Sequence, residues 1–128
     1  MEPQAPTAKP LTVLVVEDEY MVAVELSDLL RDDGYEVIGP VPTVSAALAM
    51  LDSQPPDACL LDVNLRGEQS GPVAQALRDR GIPFLLSSAY GPDTLDHNPA
   101  FAGTVNVGKP VSRQQLGTAL AALLPGRR

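Results

Sequence analysis

The sequence predicts an α/β domain in which a parallel sheet is covered by helices on both faces. Three observations predict it. Short apolar runs fit for buried strands recur near 11–16, 36–40, 58–61, 82–87 and 103–107. Segments with apolar residues at helical spacing stand between most of them. The thirteen prolines act as punctuation, because proline inside a helix or a central strand removes a hydrogen bond.

Leu11–Val16 is a short apolar run rich in β-branched residues, the mark of a strand buried on both faces. Residues 19–33 place Val22, Leu26, Leu29 and Leu30 on one helical face, and Gly34 follows as a C-terminal cap. Glu36–Pro40 reads as a second strand. Thr43 can cap a helix with Val44, Ala47, Leu48 and Leu51 on its apolar side. Ala58–Leu61 is a third strand and ends at Asp62. A loop through Asn64, Arg66, Gly67 and Glu68 then leads to a helix opening near Gly71-Pro72, where proline suits the first turn.

Ile82–Ser87 is the fourth strand, and residues 103–107 are a weaker fifth closed by Lys109-Pro110. Ser112-Arg113-Gln114-Gln115 has a capping-box pattern and opens a last helix with Leu116, Leu120, Leu123 and Leu124 inward. A fourth helix is due over 91–102. That stretch has Gly91, Pro92, Pro99 and Gly103 and no apolar stripe, so it predicts a loop with at most one or two helical turns.

A chain of 128 residues is one domain by size, and 45% hydrophobic residues supply a core. Aromatics are 4%, so Ala, Val and Leu must build that core. The net charge of −7 argues against nucleic acid or an anionic membrane as partner. The lone Cys59 excludes a disulfide framework and fits a reducing compartment; it reads as a small core residue. Residues 1–10 carry three prolines and no apolar run, neither a signal peptide nor a membrane span, and read as a flexible tail. The cytoplasm is the expected location. His97, in a polar loop without ligand partners, is expected to be exposed.

In open α/β sheets, sites form beyond the carboxyl ends of the strands, at a switch point in strand order. Those ends carry Glu17 and Asp18, then Asp62, then Ser87 and Ser88, then Lys109. If the sheet is doubly wound and flavodoxin-like, order 2-1-3-4-5, three carboxylates, hydroxyls and one ammonium gather at one edge. Packed carboxylates repel, so a cation or a bound proton must offset them. Hard oxygen ligands of this kind suit Mg²⁺, which favours a phosphate as a further ligand. A carboxylate is a competent nucleophile toward phosphorus, and phosphoryl transfer asks chiefly for positioning and charge stabilisation. Lys109 can pair with a phosphoryl oxygen, and a serine hydroxyl can donate to another. Alternation along the strand does not say whether Ser87 or Ser88 does so.

Taken singly, these residues have plainer readings. Glu17, Asp18 and Glu19 can be an acidic helix start, Asp62 a turn residue and Lys109 a solvated charge. The only other lysine, Lys9, lies in the tail, so no basic patch explains Lys109. Neither a P-loop nor a dinucleotide-binding glycine pattern follows the first strand.

Four pieces now carry a resemblance: Val15-Val16-Glu17-Asp18-Glu19, Leu60-Leu61-Asp62-Val63-Asn64-Leu65, Leu86-Ser87-Ser88-Ala89-Tyr90 and Gly108-Lys109-Pro110. Each ends a predicted strand, and in this order they resemble the receiver domains of two-component response regulators. The resemblance covers Leu11 to Leu124 and implies a receiver domain at 11–125. It implies Asp62 as phosphoacceptor and Asp18 as a direct Mg²⁺ ligand. Glu17 would bind the metal largely through water, and Asn64 would lend a backbone carbonyl. Ser88 would be the switch hydroxyl and Lys109 the family's lysine, with a cis bond to Pro110.

Two departures stand out. The family usually has Tyr or Phe three residues before the lysine, where this chain has Asn106. The stretch from Pro83 to Gly91 partly resembles a stand-alone subgroup with a Phe-Ala-Thr-Gly-Tyr motif, keeping only Ser88 and Tyr90 in kind. That subgroup often has a reduced fourth helix.

The resemblance implies a signalling module, not an enzyme, that takes phosphate from a histidine kinase or phosphotransfer protein. It would signal through a downstream protein partner or as a relay or sink, and would lose its phosphate spontaneously. The chain ends four residues after Leu124, so no output domain is expected. The sequence does not set an oligomeric state. The alternative is an Mg-dependent phosphohydrolase or phosphotransferase with an aspartyl nucleophile. Such enzymes want a second acid at position 64, which is Asn here, and a cap for which there is no room. A degenerate receiver serving only as an interaction domain is a third reading, and the retained Glu17, Asp18, Asp62, Ser88 and Lys109 argue against it.

Overall fold

The computed structural model describes residues 10–95 and 97–124. The tail expected at 1–10, Pro10 excepted, and the domain's last residue, Pro125, lie outside them. The order is β1 (Thr12–Val16), α1 (Tyr20–Asp32), β2 (Glu36–Val41), α2 (Val44–Ser53), β3 (Ala58–Leu61), β4 (Asn64–Leu65), β5 (Glu68–Gln69), α3 (Gly71–Asp79), β6 (Phe84–Leu86), α4 (Pro92–Leu95) and α5 (Arg113–Leu123). The main sheet runs β2-β1-β3-β6, and its three pairings are all parallel.

Side chains alternate across the sheet and build two cores. Val13, Val15, Leu60 and Leu85 pack with Leu26 and Leu30 of α1 and Leu116 and Leu120 of α5. Leu14, Val16, Leu61 and Leu86 pack with Val44, Ala47 and Leu51 of α2 and Val73, Ala74 and Leu77 of α3. Thr43 Oγ1 accepts from the amide of Ala46, and Ser112 Oγ from that of Gln115, so both expected caps are present. The helical turn α4 is the short fourth helix foreseen. Among the described residues no helix is long and apolar enough to cross a membrane.

Three features differ from expectation. The fifth strand is reduced to one parallel bridge, Leu86 with Asn106, held by Leu86 N to Val105 O at 2.9 Å and Val107 N to Leu86 O at 2.8 Å. In a parallel ladder the next bonds would join Ser88 to Val107 and Lys109. Gly108, with φ of 81°, turns the chain away before they can form. The loop after Asp62 is a small antiparallel hairpin, β4–β5, whose turn residues Arg66 and Gly67 have φ of 55° and 83°. Two successive positive φ values mark the tight turn type whose twist suits a hairpin. Finally, β2 bulges against β1. Leu14 faces Ile38 but Val16 faces Val41, and Gly39 sits between at φ +88° with no room for a Cβ against Val41 N and Val15 O.

Candidate phosphoryl site

Backbone pairing carries each strand-end residue into place. Beyond the bulge, Glu17 N donates to Val41 O at 3.0 Å. Asp62 N donates to Val16 O and Ser87 N to Leu61 O, each at 3.0 Å. Asp62 has a second anchor, because the fully buried Ser70 hydroxyl donates to its carbonyl oxygen at 2.6 Å. Ser70 occupies the N-cap position of α3, yet its side chain makes no capping bond. Its role at Asp62 had no sequence signal.

The structure brings Glu17, Asp18 and Asp62 together, with a carboxylate oxygen of each within 4.8 Å of the others. Lys109 reaches the same point. Its Nζ donates to Asp62 Oδ2 at 3.0 Å, and it lies 3.1 Å from Glu17 Oε1 and 4.0 Å from Glu19 Oε1. Glu17 Oε2 accepts from the Glu19 amide at 3.0 Å, while Asp18 Oδ2 accepts from the Arg66 amide at 3.1 Å. The β4–β5 hairpin, where the sequence predicts only a loop, therefore orients a carboxylate. The Asn64 amide approaches Asp62 Oδ1 at 3.3 Å. The bond from Lys109 to Pro110 is cis, as is that from Gly39 to Pro40.

Electrostatics follow from the crowding. Burial pushes the Glu17 carboxyl up to about 7, with Asp62's charge adding to the rise and Glu19's amide and Lys109 opposing it. Burial by itself would lower the Lys109 ammonium, but its hydrogen bonds to Asp62 and Glu17 outweigh burial and hold it above its ordinary value. Glu17 Oε1 is buried and, apart from the Lys109 ammonium at 3.1 Å, has no hydrogen-bond partner among the described residues. A buried acceptor of this kind, beside two further carboxylates, fits a hard divalent cation.

These groups open into a cleft of about 420 Å³ walled by Asp18, Asp62, Asn64, Ser88, Tyr90 and Lys109. Ser88 is among the residues that wall this cleft. Its Oγ accepts from the Tyr90 amide at 2.9 Å. Ser87 is buried, and its hydroxyl has no hydrogen bond among the described residues. A slightly larger cleft of about 470 Å³ opens beside Arg78, Phe84 and Thr104. It has no carboxylate among its described walls, and Arg78 is engaged by Ala100 O, Ala102 O and Thr104 Oγ1. The carboxylates and the Lys109 ammonium are found at the first cleft.

Comparison with known proteins agrees. The sequence model of the family described as "Response regulator receiver domain" matches residues 13–121. The transcriptional regulatory protein PdtaR of Mycobacterium tuberculosis is 27% identical over 102 residues, 79% of this chain and 50% of that protein. The chain spans about half the length of that curated relative. The solution structure of SdrG from Sphingomonas melonis is 39% identical and superposes with a TM-score of 0.78 over 92% of this chain and 99% of that one. The receiver domain of PhyR from Erythrobacter litoralis, 24% identical with a TM-score of 0.82 over 93% of each chain, shares the fold.

Proposed function

Since the chain belongs to the response regulator receiver domain family, we propose that Asp62 accepts a phosphoryl group and that Glu17, Asp18, Asp62 and the Asn64 carbonyl hold Mg²⁺ beside it. The observation that carries this reading is the Lys109 ammonium, 3.0 Å from Asp62 and 3.1 Å from Glu17 in a cleft also walled by Asp18. Mg²⁺, when bound, would offset the negative charge that carboxylates and phosphoryl oxygens bring together.

The chain's own residues supply the rest. The Asp62 carboxylate attacks phosphorus on a phosphohistidine donor, an oxygen–phosphorus bond forms, and the phosphorus–nitrogen bond breaks. The departing imidazole keeps the bonding pair and takes up a proton. Lys109 pairs with one phosphoryl oxygen and the Ser88 hydroxyl donates to another. Attack of water on the same phosphorus later returns the carboxylate and releases inorganic phosphate. The donor is a histidine kinase or a phosphotransfer protein, and the output is binding of a downstream protein or onward relay. A cytoplasmic setting suits that chemistry. The alternative, a phosphohydrolase acting on small esters, gains no support from the exposed Asn64, which puts a carboxamide where a second acid is needed.

Incubation with acetyl phosphate and Mg²⁺ tests the reading by intact mass. The wild type is expected to gain one phosphoryl group and Asp62→Asn none. Equal incorporation by both would remove Asp62 from the mechanism. Beryllofluoride, which gives the activated conformation of the relative SdrG, is a static probe of the same cleft.

A further inference from the structure

The side chain of Asn106 makes four hydrogen bonds, all to backbone. Its Oδ1 accepts from Ser88 N at 2.9 Å and Gly108 N at 3.0 Å. Its Nδ2 donates to Ser88 O at 3.0 Å and Tyr90 O at 3.2 Å. The carboxamide thus takes both polar groups of the Ser88 backbone, which the truncated fifth strand leaves without ladder partners. It also binds the residue immediately before Lys109. One side chain joins the loop bearing the hydroxyl to the turn bearing the ammonium.

The consequence for Ser88 is specific. Its amide and carbonyl are fixed by Asn106, and its Oγ is fixed as the acceptor from Tyr90 N. The hydroxyl proton therefore remains to donate, and the residue walls the same cleft as Asp62 and Lys109. A group that must meet an incoming phosphoryl oxygen gains most from being placed before the reaction.

Resting on the reading of Asp62 as phosphoacceptor, we infer that Asn106 is a positioning residue that presents the Ser88 hydroxyl to the phosphoryl group and keeps it in register with Lys109. Asn106 touches neither phosphate nor metal in this role and acts through Ser88. Removing it frees the loop and weakens one hydrogen bond to a charged group, which slows phosphoryl uptake about tenfold.

Time courses of phosphorylation by acetyl phosphate with Mg²⁺, read by intact mass, test this in the wild type, Asn106→Ala, Ser88→Ala and the double variant. Urea midpoints report folding separately. Asn106→Ala is expected to slow uptake about tenfold, and to add nothing once Ser88 is alanine, because coupled residues are not additive. A purely structural role for Asn106 predicts effects that multiply, and that result overturns the inference, as does wild-type uptake by Asn106→Ala. If the alanine variant does not fold, Asn106→Asp keeps the two accepted bonds and loses the two donated ones; a folded Asp variant with wild-type uptake also overturns it. A wild type that takes no phosphoryl group overturns the reading of Asp62, and the role of Asn106 with it. Phosphorylated wild type with multiplying effects removes the inference alone.

Discussion

The site has two halves built by different means. Glu17, Asp18 and Asp62 stand just past the ends of β1 and β3, and ladder bonds donated by the amides of Glu17 and Asp62 to Val41 O and Val16 O fix two of them. Ser88 and Lys109 stand past β6 and the single bridge at Asn106, where the ladder ends after one residue and a carboxamide replaces it. The acidic half concentrates charge, so backbone pairing must hold it against its own repulsion. In the proposed function the other half supplies the groups that meet an arriving phosphoryl group, and side-chain hydrogen bonds can hold these in one arrangement and release them into another. Lys109 spans the divide, since it is carried by the second half and neutralises the first.

Breaking that link is the largest single change available. Lys109→Met leaves Glu17 and Asp62 buried without the ammonium, and removing one partner of a buried ion pair costs about 3–5 kcal/mol. The variant is expected to lose stability on that order at pH 8 in urea unfolding, and to recover much of it with Mg²⁺ or at pH 5, where Glu17 takes up a proton. A loss below about 1 kcal/mol under all these conditions would show that the acidic half holds without Lys109.

A smaller effect isolates the acidic half itself. Glu17 is raised from 4.5 to about 7 on folding, so the folded state binds this proton more tightly than the unfolded chain. Its contribution to stability is fully present below pH 4.5 and is lost as pH rises through about 7. Glu17→Gln removes that slope. At pH 8 without Mg²⁺ it is expected to stabilise the protein by about 1–2 kcal/mol, and at pH 4 to change little. A variant whose stability falls with pH over this window as steeply as the wild type's would assign the slope to another group.

The same contrast explains what the sequence could disclose. Buried parallel strands read as apolar runs, so β1, β3 and β6 and the residues that follow them were legible, and with them Glu17, Asp18, Asp62 and the choice between two serines. The weaker fifth run led to Lys109 in the same way, and the resemblance to receivers then pointed to Ser88. What stayed hidden depends on side chains bonding to backbone. Ser70 carries no signal in the sequence, and only the fold brings Asp62's carbonyl within its reach. Asn106 looks like a gap in a family pattern until the ladder is seen to stop beside it. The Arg66-Gly67 turn reads as loop in the sequence because two-residue strands carry no periodicity.

The smallest expected effect sharpens the comparison at adjacent residues. Ser87 lies one residue before Ser88, the hydroxyl proposed to meet the phosphoryl group, and is held by the ladder through its amide to Leu61 O, so its backbone belongs to the strand-built half. Its hydroxyl is buried and without a hydrogen bond among the described residues. A buried polar group left unpaired is a cost, so replacing it with a methyl should help the fold. Ser87→Ala is expected to raise stability by about 0.5–1 kcal/mol and leave phosphoryl uptake unchanged. Ser88→Ala should do the opposite, slowing uptake with little change in the urea midpoint. If Ser87→Ala instead slows uptake as Ser88→Ala does, the boundary between the ladder-held and the carboxamide-held halves does not fall between these two residues. The buried hydroxyl of Ser87 would then belong to the switch as well.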